Sequence, residues 1–301
     1  MPIDLLHLAY THFPADTRVK REAAALRDTG RRLAVIALRG PGERAVERGF
    51  VWRCRRLVAG HRALARVQVV HVHTLPDFLL WAALPARHRG ARLVFDMHEV
   101  FPEFTAAKFP GASGRLLAGL ARRIERWARR RADVTITVNR LIAERLAGSP
   151  IGRLERRLIL HNTADPADFG EPPPLPGAGA PGRLELIYHG TLSALYGLDV
   201  AIRGIAQVRG LGLPARLTIL GDGPELDRLR ALVAELGLED AVSFEGRLPQ
   251  AALPARLLRC TAGVVPTRLD GMTRYSLSMK LLEYVHLGLP VLAARPGTRP
   301  I

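Results

Sequence analysis

Short apolar segments alternate along the chain with longer segments of helical period. In the first half they predict strands at 3–10, 32–39, 67–74, 92–99, 134–138 and 158–162. After residue 183 the pattern restarts, with predicted strands at 184–191, 215–223, 242–247, 262–266 and 290–294. Strands that are apolar nearly throughout, and that are joined by helices, indicate a parallel sheet covered on both faces.

Helical period is clearest in three of the connecting segments: 19–30, 115–131 and 224–238. The first ends in a glycine, a common stop signal. In the second, apolar residues recur every three or four positions: Leu116, Leu120, Ile124 and Trp127. Arginines occupy the opposite faces, so the pattern predicts an amphipathic helix.

A segment rich in proline, glycine and alanine, "GEPPPLPGAGAPGR" at 170–183, separates the two series of strands. Such a composition favours neither a helix nor a central strand, and we interpret it as an interdomain linker. The predicted domains are 1–169 and 184–301, each a doubly wound α/β unit. Sheets of this type bind ligands at the carboxyl ends of their strands, and two facing units would present those ends to one central cleft.

Charge and composition narrow the class of ligand. The 301 residues carry a formal net charge of +16, but 41 of the 44 basic residues are arginine, which suggests a GC-rich coding bias. The arginines are spread along the chain and aromatic residues make up only 6%, so we do not expect nucleic-acid binding. An anionic small ligand or an anionic membrane surface fits the charge better.

Targeting and redox signals are few. Cys54 and Cys260 are too few for a disulfide framework and lack metal-ligand spacing. The N-terminal residues lack the pattern of a signal peptide, and no apolar run reaches the length of a membrane span. We therefore expect a cytoplasmic protein, with contact at the inner face of the membrane as a further possibility.

Two polar clusters follow predicted strands in the first half. In "THFPADTRV" (11–19), Asp16 or Thr17 can cap the next helix, or the loop can line the cleft with Arg18 facing an anionic group. "DMHEVFPE" (96–103) contains several titratable residues at one strand end: Asp96, His98, Glu99 and Glu103. The histidine has either a structural or a catalytic role, and its spacing matches no zinc site.

Glycines mark two turns in the second half. Gly190 would let the backbone approach a ligand closely, and a helix N-terminus after it could hold a phosphate. Gly221 and Gly223 indicate a tight turn, and the spacing is not a dinucleotide fingerprint.

A charged pair lies in the apolar helix predicted after the loop 267–278. Ser276 or Ser278 can cap this helix, which places Lys280 near its positive end as a candidate phosphate ligand. Glu283 lies one turn later and could accept hydrogen bonds from ribose or sugar hydroxyls. The alternative is an ordinary ion pair between residues three apart.

Several motifs along nearly the whole chain together resemble one family. They are "THFPADTRVKREAAAL", "FDMHEVFPE", "RRADVTITVN", "ILHNTADPADF", "YHGTLSALYGLDVAIRGIA", "TILGDGPEL", "VSFEGRLP" and "YSLSMKLLEYVHLGLPV". In this order they resemble the retaining glycosyltransferases of the GT-B fold, in glycosyltransferase family 4 (glycosyl transferases group 1).

The resemblance implies a hexosyltransferase that moves a sugar from a nucleotide-sugar to a glycan or lipid-linked acceptor, with retention of configuration and with neither metal nor cofactor. The second unit would bind the donor and the first the acceptor. His98 would lie at the reacting centre and Glu283 would hold the ribose. Gly190 would approach the diphosphate. The other implied donor ligands are Arg274, Ser276, Leu277, Ser278 and Lys280, and the implied cleft-lining residues are Arg18, Asp96 and Glu99.

The sequence also departs from the family pattern. Tyr275 occupies the first glutamate position of the usual Glu-x7-Glu motif, and Thr191 and Tyr196 occupy positions where many members carry Arg and Lys. The family chain usually continues well beyond "GLPVLAA", so we expect a C-terminally truncated member with an incomplete second domain. An inactive remnant that only binds a partner or a sugar, and a GT-B-type sugar epimerase, stay open as alternatives.

Overall fold

The computed structural model divides the chain into two compact units, Met1–His161 and Asn162–Ile301. It describes residues 3–13, 16–38, 49–109, 111–148, 156–171 and 184–294. Most of the predicted linker, 172–183, lies outside these residues. Ala164 and Phe169 are buried in a core of the second unit, so the segment before the linker packs with the strands and helices after it.

The first unit alternates strands with helices. Its strands are β1 (Leu5–His12), β2 (Leu33–Leu38), β3 (Val69–His73), β4 (Arg92–Met97), β5 (Val134–Thr137) and β6 (Arg157–Ile159). Its helices are α1 (Thr17–Asp28), α2 (Phe50–Gly60), α3 (Leu80–His88), α4 (Phe101–Lys108), α5 (Gly111–Arg131) and α6 (Arg140–Ala147).

These six strands form one parallel sheet in the order β2-β1-β3-β4-β5-β6. The order reverses between β1 and β3, and this is the switch point at which such sheets bind ligands. In register, His7 of β1 pairs with His71 of β3, and His73 pairs with Asp96 of β4. Polar side chains of three adjacent strands are thereby brought together near the switch point.

The second unit has the same plan. Its strands are β7 (Leu184–His189), β8 (Ala215–Leu220), β9 (Val242–Gly246), β10 (Ala262–Val265) and β11 (Val291–Ala293). Its helices are α7 (Pro166–Phe169), α8 (Leu198–Gly210), α9 (Leu226–Glu235), α10 (Leu253–Leu257) and α11 (Met279–His286). The parallel sheet has the order β11-β10-β7-β8-β9, so its switch point lies between β7 and β10.

The doubly wound α/β prediction is confirmed, and every predicted strand has a counterpart. The orientation of α5 differs from the expected one. Its buried stripe consists largely of small residues, including Gly114, Ala118 and Ala121, whereas Leu116 and Leu120 are 76% and 54% exposed. The backbone of α5 lies close to the end of α4, since a β-carbon at position 114 would overlap the carbonyl oxygen of Phe109. Because the two backbone segments lie this close, small residues occupy the buried side of α5, and Leu116 and Leu120 are exposed to solvent.

Candidate functional site

In the second unit, the turn after β7 leaves space for a lysine. Gly190 has φ +123°, and a β-carbon there would lie 2.6 Å from Cε and 3.0 Å from Nζ of Lys280. The left-handed φ strains residues other than glycine at this turn, and a β-carbon would in addition displace the end of the Lys280 side chain. The sequence-predicted pair Gly190 and Lys280 is brought into contact.

Aromatic rings hold the lysine in place. Lys280 Nζ lies 4.2 Å from the ring centroid of Tyr196 and 5.1 Å from that of Tyr188. Burial lowers the pKa of Lys280 to about 8, although the nearby Glu283 opposes this shift. Tyr196 occupies a position where many members of the resembled family carry a cation. In this chain its ring face contacts the ammonium group of Lys280 instead.

Glu283 lies close to a histidine. Its Oε2 is 3.1 Å from Nε2 of His189, the last residue of β7, and within the described part of the chain no ion pair joins it to Lys280. The side chain is largely buried, and the His189 ring stands edge-on to Tyr284 at 5.2 Å. The geometry does not support the ordinary ion pair between residues 280 and 283. It leaves the carboxylate fixed at the end of β7, where it can accept hydrogen bonds.

Within the described residues, the start of α11 lacks a side-chain cap. Ser278 occupies the N-cap position, but its side chain makes no capping hydrogen bond, while its carbonyl accepts from the amides of Leu281 and Leu282. Ser276 and Arg274 are exposed, and Leu277 is partly buried. The preceding loop is fixed by Asp270, whose side chain accepts from the amides of residues 272 and 273. Such a helix start favours an anion.

A cavity of about 240 Å³ opens at the carboxyl ends of β7, β8 and β9. His189, Gly190, Thr191, Gly221 and Arg247 are among its lining residues. Sequence reasoning missed His189 and Arg247, although each lies at a strand end, where the search for function was directed. Both lie within motifs that carry the family resemblance, "YHGTLSALYGLDVAIRGIA" and "VSFEGRLP", and that was the signal that could have found them.

In the first unit, Arg18 and Asp96 form a buried ion pair. Arg18 Nη2 lies 3.0 Å and 3.1 Å from the two carboxylate oxygens of Asp96, and both side chains are nearly inaccessible. Burial alone would raise the pKa of Asp96, but its contacts with His98, His71 and His73 outweigh that and hold it well below the usual value. Asp16, and not the main chain alone, fixes the start of α1, because its Oδ1 accepts from the amide of Val19 at 3.0 Å.

This ion pair positions His98. Arg18 Nε donates a hydrogen bond to His98 Nε2 at 3.1 Å, and the same nitrogen lies 3.2 Å from Asp96. His98 Nε2 also lies 3.2 Å from Nδ1 of His73, so Arg18, Asp96 and His73 all converge on this one ring nitrogen and orient the ring. His98 is 20% exposed and lines a polar cavity of about 190 Å³ together with Thr11, His73 and Thr74. Glu99 is partly buried, and that burial raises its pKa.

A stack of three histidines lies beneath His98. The ring centroids of His7, His71 and His73 are 4.3–5.0 Å apart. Burial lowers the pKa of His7 to about 2 and that of His73 to about 4, so these two rings are neutral near pH 7. Burial, reinforced by the charge of Asp96, raises the pKa of the neighbouring Glu22 to about 8. The Arg18–Asp96 ion pair thus lies next to two neutral histidines, His7 and His73.

Two sets of these side chains could hold a metal ion. Ligand atoms within 4.8 Å of one another come from His7, Glu22, His71 and His73, and from His73, Asp96 and His98. However, Arg18 already places a fixed positive charge 3.0–3.4 Å from Asp96 and 3.0 Å from Glu22. A divalent ion would have to bind beside that guanidinium, against its charge.

Comparison with family models assigns the chain. Residues 6–167 match the model described as Glycosyltransferase Family 4, and residues 179–300 match the one described as Glycosyl transferases group 1. The chain belongs to glycosyltransferase family 4. This family 4 chain is 27% identical over 302 residues to 2-deoxystreptamine glucosyltransferase of Streptomyces kanamyceticus, a match that covers 95% of this chain and 75% of the relative.

Other relatives match over shorter segments. The chain is 35% identical over 122 residues to D-inositol 3-phosphate glycosyltransferase of Acidothermus cellulolyticus, covering 37% of this chain and 26% of that protein. In most of the curated relatives it matches, this family 4 chain spans less than half of the length.

A solved structure defines the fold of this family 4 chain. Anabaena HepE in complex with UDP-glucose matches 98% of this chain and 81% of its own, with a TM-score of 0.66 and 16% identity. At that identity the likeness shows the fold alone, and that fold is GT-B. Among the described residues, no helix is both long enough and apolar enough to cross a bilayer.

Proposed function

We propose that this protein transfers a hexosyl group from a nucleotide-sugar to a glycan or lipid-linked acceptor, with retention of anomeric configuration. The observation that carries the proposal is the contact between Lys280 and Gly190 beside the open N-terminus of α11. A fixed cation, a turn without a side chain and the first amides of a helix together suit a diphosphate.

In the transfer, the oxygen of the acceptor hydroxyl forms a bond to the anomeric carbon as the bond from that carbon to the diphosphate oxygen breaks. The hydroxyl proton leaves with the departing diphosphate, and a nucleoside diphosphate is released. Lys280 and the amides of α11 stabilise the charge that develops on the leaving group, and Glu283 holds the ribose hydroxyls. We propose that no metal ion is needed, because these groups supply the positive charge.

His98 has a positioning and hydrogen-bonding role in this proposal. With Nε2 held by Arg18, Asp96 and His73, the other ring nitrogen, Nδ1, can form a hydrogen bond with a hydroxyl of a bound sugar in the polar cavity. The buried Asp96 keeps Arg18 and His98 in place.

The protein is proposed to act in the cytoplasm, at the membrane surface. The exposed face of α5 carries Leu116 and Leu120 next to the exposed arginines Arg122, Arg123 and Arg126. Apolar and basic side chains on one helix face suit an anionic bilayer. Co-sedimentation with anionic vesicles should fall when the three arginines are changed to glutamate, and unchanged co-sedimentation would count against this contact.

The proposed activity is tested with nucleotides and their sugars. Calorimetry with UDP, GDP and the corresponding sugars should show binding that Lys280→Met and Glu283→Gln weaken. NMR of the product formed on a suitable acceptor should show the donor's anomeric configuration. Absence of binding by every nucleotide would overturn the proposal, and an inverted linkage would overturn retention.

The 2-deoxystreptamine glucosyltransferase relative and the UDP-glucose complex of HepE make UDP-glucose the first donor to test.

A further inference from the structure

An apolar groove of about 690 Å³ lies in the first unit, where the ends of β1 and β3 meet α2 and α4. Five of its ten lining residues are aromatic: Tyr10, Phe50, Phe78, Phe101 and Phe104. The rings pack on one another, with centroids 5.2 Å apart for Tyr10 and Phe50 and 6.5 Å apart for Phe78 and Phe101. Tyr10 and Phe78 are 37% and 43% exposed, which is unusual for contiguous aromatic side chains without a ligand.

The groove continues into the polar cavity of His98. Tyr10 and Leu75 line both, so the two form one surface with a polar end and an apolar end. The polar end suits a hydroxyl group, and the aromatic part suits an apolar surface. A molecule that uses the whole surface carries a hydroxyl at one end and an apolar body beyond it.

The lining of the groove also indicates the charge of its ligand. None of the described residues that line it is acidic, and its one charged member is Lys108. Lys108 is exposed at the end of α4, with Nζ 5.9 Å from the rings of Phe104 and Phe109, and within the described part of the chain it pairs with no carboxylate. Phe101 and Lys108 are seven residues apart on one helix, or roughly 10 Å along its axis. An anionic group is therefore favoured beside Lys108, at the C-terminal end of α4.

We propose that this groove is the acceptor subsite for an anionic amphiphile. The hydroxyl that receives the sugar lies in the polar cavity, the apolar body lies against the aromatic wall, and a phosphate or similar anion lies at Lys108. This inference rests on the proposed transferase function, and it replaces a general glycan or lipid-linked acceptor with one chemical class.

The test uses farnesyl phosphate below its micelle concentration as the probe, titrated calorimetrically into the intact chain without vesicles. We expect saturable binding of one molecule. Phe104→Asp should weaken it by roughly 30-fold or more, because a charge replaces an apolar contact. Lys108→Glu should weaken it about 5- to 10-fold and Lys108→Arg should preserve it. Leu211→Asp, at a site in the second unit that is 78% exposed, is the matched control and should bind as the parent does.

Two further ligands separate the contribution of the apolar chain to binding from that of the phosphate. Farnesol should bind more weakly than farnesyl phosphate, and inorganic phosphate alone should not bind. Circular dichroism will show whether Phe104→Asp unfolds the unit. Because the Lys108 side chain is exposed, Lys108→Glu should leave the fold intact and can be interpreted in either case.

Binding of UDP is measured on the same samples. The groove inference alone fails if UDP binds and farnesyl phosphate does not. It also fails alone if UDP binds and the binding of farnesyl phosphate neither saturates nor changes in Phe104→Asp and Lys108→Glu. If farnesyl phosphate binds as expected while no nucleotide binds, the transferase proposal fails and the groove remains a binding site for an amphiphile.

Discussion

Protonation of Lys280 should control nucleotide binding. Burial lowers its pKa to about 8 in the free protein, so the side chain is charged at pH 7 and mostly neutral at pH 9. A bound diphosphate raises that pKa again, because an opposite charge favours the ammonium form. Binding above pH 8 therefore takes up a proton.

The magnitude can be worked out from this linkage. The observed Kd rises by the factor 1 + 10^(pH − pKa), which gives a UDP affinity about tenfold weaker at pH 9 than at pH 7. The terminal phosphate itself titrates near pH 6, so its charge is constant over this range. At pH 8.5 the complex should take up about 0.8 proton per UDP bound.

The assay is calorimetry of UDP binding between pH 7 and 9, repeated in two buffers with different ionisation enthalpies. Lys280→Arg keeps the charge and should lose the pH dependence. Lys280→Met should weaken binding at pH 7 by about 10- to 100-fold and also lose the pH dependence. Lys20→Met, at an exposed lysine of the first unit, is the control. A flat profile for the parent, or the same slope in Lys280→Met, would refute the reasoning.

The two sites support four other predictions. Gly190→Ala should lower the free energy of unfolding by about 1–3 kcal/mol and weaken UDP binding, whereas Gly60→Ala, where the structure leaves open space, should do neither. Asp96→Asn removes the negative charge that the buried Arg18 Nη2 contacts through both carboxylate oxygens and should cost about 3–5 kcal/mol in urea unfolding. Glu22 has a folded pKa raised to about 8, so the stability it contributes is complete below about pH 4.5 and is lost as the pH rises towards 8; Glu22→Gln should remove that part of the pH dependence, at most about 1.4 kcal/mol per pH unit. Transferase activity, once a donor and an acceptor are found, should survive extensive dialysis against a chelator, and a loss restored by one divalent ion would contradict the metal-independent proposal.

The sequence predicted the order of elements well because strands buried on both faces leave an unmistakable apolar run. The segments 33–38 ("LAVIAL") and 262–265 ("AGVV") contain only apolar residues and one glycine. The resemblance also implied that Gly190 and Lys280, 90 positions apart, bind the same donor, and the structure brings them into contact. The partner of Glu283 could not be predicted, since His189 belongs to a strand and Glu283 to a helix.

Packing accounts for the other differences. The pattern in α5 indicated an apolar stripe through Leu116 and Leu120, but the helix buries glycine and alanine, because the neighbouring backbone comes too close for leucine. The contact between His7, His71 and His73 could not be predicted either, because these residues lie within two separate strands. Only the register that pairs His7 with His71 shows that residues 64 positions apart share one interior.

The scarcity of lysine makes Lys280 a chemical handle. The chain has three lysines, and this is the one in the second unit. Because its pKa is near 8, a much larger fraction of this amine is neutral and nucleophilic at pH 7.5 than for an amine with the usual lysine pKa. A limiting amount of an acylating reagent at pH 7.5 should therefore modify Lys280 before Lys20 and Lys108, and bound UDP should protect it. Peptide mass mapping of the acylated chain would locate the nucleotide site without any knowledge of the sugar or the acceptor.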